Sequence, residues 1–318
     1  PVGGDYTTIQ GAIDAVSSPS TSNRWLIMVY PGVYSEVVTL DENFTDIIGV
    51  GGPEVTKVTQ VDATVLTVTS NNNRIEGFNF DISVDTTGKS VVVLNAAAAT
   101  VTLENNTVTW AGAGTSTGIA ITTGSPNIKR TTISGVANGI TVTSGSPSIE
   151  RADITSTSKG VQKTGANAMT LSYSVITATT DDVDIDAGTA NLYYNTLLSS
   201  TDNIDVAAGA TVNSYKDSYT IVTAAGTFNQ KDFDRNDAVT ALTVAQSGSG
   251  NIVDFKDGSS SIFTIADGGG VTINLTDNTA DILDIQQGTN NYLNISTSDA
   301  TTVFTLDLPV AGSTSTTA

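Results

Sequence analysis

Short stretches in which apolar and polar residues alternate recur along the middle of the chain, between residues 118 and 209. Gly118 opens the stretch GIAITTGSPNIKRTTI, and related stretches open at Gly139, Gly160, Asp182 and Asn203. Apolar residues two positions apart are typical of a β-strand with one buried face. Their recurrence about every 21 residues predicts a β-solenoid, because one coil buries its apolar side chains only by stacking on the next.

Placing these repeated stretches one above another predicts which side chains line the interior. The inward positions of the first strand are Ile119, Ile140, Val183 and Ile204, those of the second are Ile128, Ile149, Leu171, Leu192 and Val212, and those after the bend are Ile133, Ile154, Ile176 and Leu197. We therefore predict an all-β fold, a right-handed parallel β-helix over residues 24–226. Residues 1–23 are expected to form a cap, because Ile9, Ile13 and Val16 mark one face of a short helix with Thr7 or Thr8 as its N-cap.

The segment from Tyr6 to Gly52 carries a family resemblance. Its phrases TIQGAIDAV, VYPGVYSEVVTL and IIGVGG resemble the entry segment of the pectin lyase-like superfamily, in particular of pectin methylesterases. The resemblance implies a β-helix that begins here. The apolar run itself predicts a buried strand over Leu26–Tyr30. No stretch of this chain matches the active-site segments of the esterases, so the resemblance assigns no catalytic residue.

A different pattern follows the solenoid. Residues 227–237 (TFNQKDFDRND) are polar and predict a junction, whereas in residues 238–310 Leu242 matches Leu283 and Phe263 matches Phe304 at one shared interval. The phrase NIVDFKDGSSSIFTIADGGGVTI resembles the shaft modules of bacteriophage tail fibres. Each unit of this repeat holds too few apolar residues to close a core, which predicts a homotrimer. Residues 311–318 form a Gly/Ser/Thr-rich tail that we expect to be flexible.

Composition narrows the range of functions. The chain has 32 acidic and 13 basic residues, a net charge of −19, and neither cysteine nor histidine. Such a charge disfavours nucleic acid and anionic membranes as partners, and the apolar run Val91–Val101 is too short to insert into a bilayer. Without histidine or cysteine, the commonest general base and the usual zinc ligands are missing. We therefore expect no cofactor, apart from a calcium ion at clustered carboxylates.

The acidic residues of two neighbouring coils form the first candidate site. Outward positions place Asp184 beside Asp205, and strict alternation puts Asp182, Asp184 and Asp186 on one exposed face. Three interpretations stay open: a solvated acidic patch, a calcium site formed by these four residues, or a hydrolytic pair, Asp184 and Asp205, of the kind used by retaining glycosidases.

Aromatic residues form the second candidate site. Stacked outward positions predict that Arg151 lies on Tyr173 and Tyr173 on Tyr194, with Tyr193 and Tyr215 nearby. Such a surface suits contact with a glycan, or it stacks for structural reasons alone.

The leading hypothesis at this stage is a non-enzymatic virion appendage, a bacteriophage tail or head fibre that contacts other virion proteins and adheres to a host surface. One alternative is a polysaccharide-degrading tailspike or pectin lyase-like enzyme that uses the stacked aspartates. Another is an adhesin on a bacterial cell surface.

Overall fold

The structure is a computed structural model of the chain. It describes residues 5–95, 101–112, 115–219 and 222–230, together with six short strands between residues 253 and 305. The chain divides into two units, Pro1–Asp232 and Phe233–Ala318.

The first unit contains one short helix and 25 described strands. In chain order these elements are α1 (Ile9–Asp14), β1 (Trp25–Val29), β2 (Gly32–Tyr34), β3 (Val38–Leu40), β4 (Thr45–Gly49), β5 (Thr56–Val61), β6 (Leu66–Val68), β7 (Arg74–Glu76), β8 (Asn79–Asp85), β9 (Ser90–Asn95), β10 (Thr102–Glu104), β11 (Thr107–Gly112), β12 (Thr117–Thr123), β13 (Asn127–Lys129), β14 (Thr132–Val142), β15 (Ser148–Glu150), β16 (Asp153–Lys163), β17 (Ala168–Ser172), β18 (Val175–Thr177), β19 (Asp181–Ile185), β20 (Thr189–Tyr193), β21 (Thr196–Leu197), β22 (Asp202–Val206), β23 (Thr211–Tyr215), β24 (Val222–Ala224) and β25 (Thr227–Gln230).

These strands form parallel ladders that wind around one axis. One sheet has ten strands in the order β1-β4-β7-β10-β13-β15-β17-β20-β23-β25. A second sheet combines two ladders, β2-β5-β8-β11-β14 and β3-β6-β9-β12-β14, which meet because the long strands β14 and β16 run around a corner of the coil. Beyond β16 the ladders separate again into β18-β21 and β19-β22-β24. The predicted right-handed parallel β-helix is confirmed.

The interior is a set of aliphatic ladders, one residue per coil. Ile119 pairs in register with Ile140, Ile140 with Val161, Val161 with Val183, and Val183 with Ile204. All five side chains are completely buried. Burial of an aliphatic side chain contributes about 1.5–3 kcal/mol, so the stacking of successive coils is what holds the fold together.

Helix α1 covers the start of the β-helix. Thr8 is its N-cap, and the carboxylate of Glu36 accepts hydrogen bonds from the backbone N–H groups of Ile9 and Gln10, both at 2.9 Å. The Gln10 amide in turn bonds the backbone N–H and C=O of Thr39 on the outermost strand β3. It thereby satisfies polar groups of a strand edge. Within the described ranges no helix is long and apolar enough to cross a membrane.

The first strand is less buried than the sequence suggested. Leu26 and Met28 of β1 remain 56% and 54% exposed, whereas Val29 is buried. The two exposed side chains face a groove of about 690 Å³ between α1 and β1. The prediction of a fully buried strand over Leu26–Tyr30 was wrong, because alternate residues of β1 point away from the interior.

The β-helix also extends further than expected. Strand β25 pairs in parallel with β23, with Thr211 beside Thr227 and Val212 beside Phe228. Phe228 packs against the aliphatic core. The stretch expected to begin a junction at residue 227 therefore starts with one more strand of the ten-stranded sheet.

The second unit contains two described sheets of three antiparallel strands. They are β26 (Val253–Asp257), β27 (Ser260–Ile265) and β28 (Val271–Ile273), followed by β29 (Leu283–Gln287), β30 (Asn290–Ser296) and β31 (Val303–Thr305). Val253 pairs with Ile265 in the first sheet, and Leu283 pairs with Ile295 in the second. By its pairing, Leu283 is thus equivalent to Val253. The predicted match of Leu242 with Leu283 falls on a residue outside the described ranges. The remainder of the predicted shaft and the tail lie outside the described residues.

Candidate functional site

Three aspartates meet on the outer surface of the β-helix, and we call them the acidic corner: Asp181, Asp184 and Asp205. Each offers a carboxylate oxygen, and the three oxygens lie within 4.8 Å of one another. Asp184 pairs in register with Gln162 on one side and with Asp205 on the other. The predicted stacking of Asp184 and Asp205 is therefore confirmed, whereas Asp181 was not foreseen as a member.

A local irregularity of the strand explains why Asp181 joins the site and Asp182 leaves it. The pairing of β19 with β22 includes Asp181 and Val183 but passes over both Asp182 and its counterpart Asn203, without a shift of register. Three earlier coils carry glycine at this position, and a Cβ on Gly139 would collide with the side chain of Ile154. A side chain here therefore points inward, against the simple alternation of a regular strand.

Asp182 is accordingly a buried structural residue. Its carboxylate accepts hydrogen bonds from the backbone N–H groups of Ala178 and Ser199 at 2.8 and 2.6 Å, and from Asn203 Nδ2 at 2.9 Å. Burial raises its pKa even though these bonds act in the opposite direction. The prediction that Asp182 shares an exposed face with Asp184 and Asp186 was wrong, and Asp182 is no calcium ligand in this arrangement.

Lys159 supplies positive charge to the acidic corner. Its Nζ contacts Asp184 Oδ2 directly and lies 3.8 Å from Asp181 Oδ2. Burial acts to lower the pKa of Lys159, but the hydrogen bond and charge of Asp184, with the charge of Asp181, outweigh it and raise that pKa. One ammonium group thus contacts two of the three carboxylates of the acidic corner.

Two of the three carboxylates are removed from water. The Asp181 and Asp184 side chains are only 7% and 1% exposed, whereas Asp205 is half-buried. Burial, together with the charge of Asp184, raises the pKa of Asp181 to about 6. Burial also raises the pKa of Asp184, although Lys159 opposes it. A freely solvated acidic patch does not describe this arrangement, because solvated carboxylates keep ordinary pKa values.

The calcium prediction is only partly compatible with these positions. Asp184 and Asp205 stand with Asp181 at a spacing at which all three oxygens can reach one ion at about 2.3–2.6 Å. Asp186 is exposed and accepts a hydrogen bond from Gln162 Nε2 at 3.1 Å. Calcium binding here stays a prediction.

The aromatic residues stack as predicted. The Arg151 guanidinium lies 5.6 Å from the ring centroid of Tyr173, and the rings of Tyr173 and Tyr194 are parallel with centroids 5.1 Å apart. Tyr215 meets Tyr194 edge-on at 5.5 Å and lies 6.4 Å from Tyr193. Contact of these residues with a ligand stays a prediction.

A buried lysine lies just beneath the acidic corner. Lys163 occupies an inward position between Val142 and Ile185 and is completely buried. Its Nζ donates hydrogen bonds to the carbonyl oxygens of Gly165 and, at 3.1 Å, Ala187. Burial lowers its pKa. Its signal in the sequence is a lysine at a position where the neighbouring coils have valine or isoleucine.

Comparisons with known proteins bear on the fold. No protein-family model and no curated protein sequence matches the chain. Among solved structures, a pectin methylesterase variant in complex with a hexasaccharide is similar at a TM-score of 0.48 and 11% identity, over 72% of this chain and 90% of that chain. Pectin methylesterase PemA from Erwinia chrysanthemi is similar at a TM-score of 0.48 and 12% identity, over 71% of this chain and 87% of that chain. The pectin methylesterase from Aspergillus niger is similar at a TM-score of 0.40 and 15% identity, over 71% of this chain and 82% of that chain. At these identities the likeness concerns the β-helix architecture alone.

Proposed function

We propose that the protein hydrolyses a polysaccharide at the acidic corner. The observation that carries this proposal is the grouping of Asp181, Asp184 and Asp205 within 4.8 Å, with the pKa of Asp181 raised to about 6. Carboxyl groups with separated pKa values at one site are the usual equipment for acid–base hydrolysis.

The three carboxyl groups suit different tasks. Asp181 holds its proton to higher pH than a free aspartate and can protonate the oxygen of the leaving group. Asp205 is half-buried and accessible, so its carboxylate attacks the sugar carbon while the bond to the leaving oxygen breaks. Water then releases the sugar and returns the proton to Asp181. Asp184 is held by Lys159 and acts as a positioning residue.

The charge of the site indicates the substrate class. Asp202 and Asp186 stand near the acidic corner, so the surroundings are negative despite Lys159. A negative site stabilises the positive charge that develops on a sugar ring during glycoside cleavage. It repels an anionic substrate, which favours a neutral polysaccharide.

A direct assay is the release of reducing ends from neutral polysaccharides by the full chain. In parallel, the release of titratable acid from esterified polysaccharides distinguishes ester cleavage from glycoside cleavage. We expect Asp205→Asn to lose at least about 100-fold in rate, as is typical when an acid–base or nucleophilic group is removed. Asp153→Asn is the control, because Asp153 is an exposed aspartate in β16. No product on any substrate, or full activity of Asp205→Asn, would overturn the proposal.

A second candidate function, a fibre-like appendage that adheres to a host surface, rests on the second unit. The first two strands of its two three-stranded sheets share one pairing register, bulge included, with Val253 and Ile265 of the first sheet equivalent to Leu283 and Ile295 of the second. Repetition of a small antiparallel unit favours a shaft that is completed by other copies of the chain. A virion surface and a bacterial cell surface both fit such a shaft. The native mass of the full chain in solution tests it: a trimer supports the shaft, and a stable monomer contradicts it.

A further inference from the structure

One turn position recurs in successive coils with an unusual backbone conformation. After seven of the strands of the ten-stranded sheet the next residue adopts a left-handed conformation, and in two early coils these residues are Gly77 and Asn105. Five later coils place long side chains there, with φ between 48° and 57°: Arg130, Arg151, Tyr173, Tyr194 and Lys216. Large side chains tolerate this conformation poorly, and strained residues are concentrated at functional sites. We call these five residues the turn ridge.

The aromatic part of the turn ridge presents ring edges and hydroxyl groups. Tyr173 has Arg151 against one face and Tyr194 against the other, and both tyrosines are more than 40% exposed. Since the faces are occupied, a ligand meets phenolic O–H donors and ring edges, which carry partial positive charge. Such a row favours a partner rich in oxygen acceptors.

Basic residues accompany the tyrosines. Four of the 13 lysines and arginines of the chain stand on the turn ridge or on the strands that lead into it: Lys129, Arg130, Arg151 and Lys216. Glu104 and Glu150 pair with Arg130 and Arg151, each through one terminal nitrogen of the guanidinium. A guanidinium has five N–H donors in all. Further donors of both arginines therefore remain for another acidic group.

We propose that the turn ridge binds an acidic polysaccharide that runs along the axis of the β-helix. The carboxylate or sulfate groups of the ligand meet the arginines, and its hydroxyl and ring oxygens meet the tyrosine hydroxyls. The 5.1 Å between stacked tyrosines is comparable to the length of one sugar ring, so successive sugars meet successive coils. The acidic corner has the opposite charge, which makes this a separate site that does not depend on hydrolysis there.

Binding of immobilised polysaccharides to the full chain tests the proposal. The probes are hyaluronan as a carboxylated chain, dextran sulfate as a sulfated chain, and dextran as a neutral one. At about 0.15 M salt the Debye length is about 8 Å, so the overall negative charge of the protein does not mask a local contact. We expect at least one acidic probe to bind at least tenfold more tightly than dextran. Comparison of hyaluronan with dextran sulfate then identifies whether carboxylate or sulfate is the preferred anionic group.

Variants of the turn ridge supply the control. Arg151→Gln is expected to weaken binding about tenfold, and Tyr173→Phe combined with Tyr194→Phe severalfold, because phenylalanine keeps the ring stack and removes only the hydroxyls. Lys89→Gln and Tyr6→Phe change an exposed lysine and an exposed tyrosine elsewhere and should bind like the unchanged protein. Dextran binding as tightly as the acidic probes overturns the proposal. Unchanged binding of an acidic probe by Arg151→Gln, or by the double variant Tyr173→Phe and Tyr194→Phe, also overturns the proposal.

Discussion

Replacing Asp181 by asparagine should stabilise the protein at neutral pH and leave it unchanged in acid. The folded-state pKa of Asp181 is about 6, against about 3.9 for a free aspartate. The folded protein therefore holds this proton more tightly than the unfolded chain does. Its stability falls as the pH rises from about 4 to about 6 and is level above that range. Asparagine keeps the shape of the side chain without the charge.

The size of the gain in stability follows from the difference between the folded and unfolded pKa of Asp181. Two pKa units correspond to about 3 kcal/mol as an upper bound. Water screens a carboxylate near the surface, and the substitution also removes a 3.8 Å contact with Lys159, so we expect a net gain of about 1–2 kcal/mol. For a unit of this size that corresponds to a rise in Tm of about 2–8 °C.

Unfolding followed by tryptophan fluorescence between pH 3.5 and 8 measures this difference. Both tryptophans of the chain, Trp25 and Trp110, lie in the β-helix, so the signal reports this unit. Asp153→Asn is the matched control, since Asp153 is an exposed aspartate in β16. A variant less stable than the unchanged protein at pH 7, or a difference independent of pH, would contradict the role assigned to the Asp181 charge.

Three further substitutions test the packing and the buried polar groups. Ile140→Ala should cost about 2–5 kcal/mol in denaturant unfolding, because it opens a cavity in a fully buried ladder, whereas Thr141→Ala on the outer face should cost far less. The lowered pKa of Lys163 means that the unchanged protein gains stability as the pH rises from that pKa towards about 10.5; Lys163→Met should lack this gain in melts at increasing pH. Asp85→Asn should cost about 1–2 kcal/mol at pH 7, since its carboxylate accepts bonds from Thr87, Lys89 and Trp110. Those bonds lower its pKa against the effect of burial, so the cost should shrink as the pH falls below about 4.

The sequence was sufficient wherever a residue type repeats from coil to coil. Ile119, Ile140 and Val183 recur in matching stretches with alternating polarity, and this predicts both the ladder and the pairing of Asp184 with Asp205. Parallel pairing in register then places equivalent residues one strand apart. The stacking of Arg151, Tyr173 and Tyr194 follows from the same rule.

The alternation of apolar and polar residues failed to predict side-chain directions where a strand is irregular. The irregularity at Asp182 turns its side chain towards the interior, and Asp181 enters the acidic corner instead. A signal was present as glycine at the equivalent positions Gly139 and Gly160, where a Cβ would collide with neighbouring atoms in those coils. The role of Lys159 depends on a long side chain that reaches from another coil, which periodicity alone does not indicate.

The most direct test of the account is the rate of polysaccharide hydrolysis by the full chain between pH 4 and 8. We expect a rate that declines as the pH rises through about 6, where Asp181 loses its proton, and that is almost abolished in Asp205→Asn but kept in Asp153→Asn. Turnover that persists in Asp205→Asn, or no turnover of any neutral polysaccharide across this range, would contradict it.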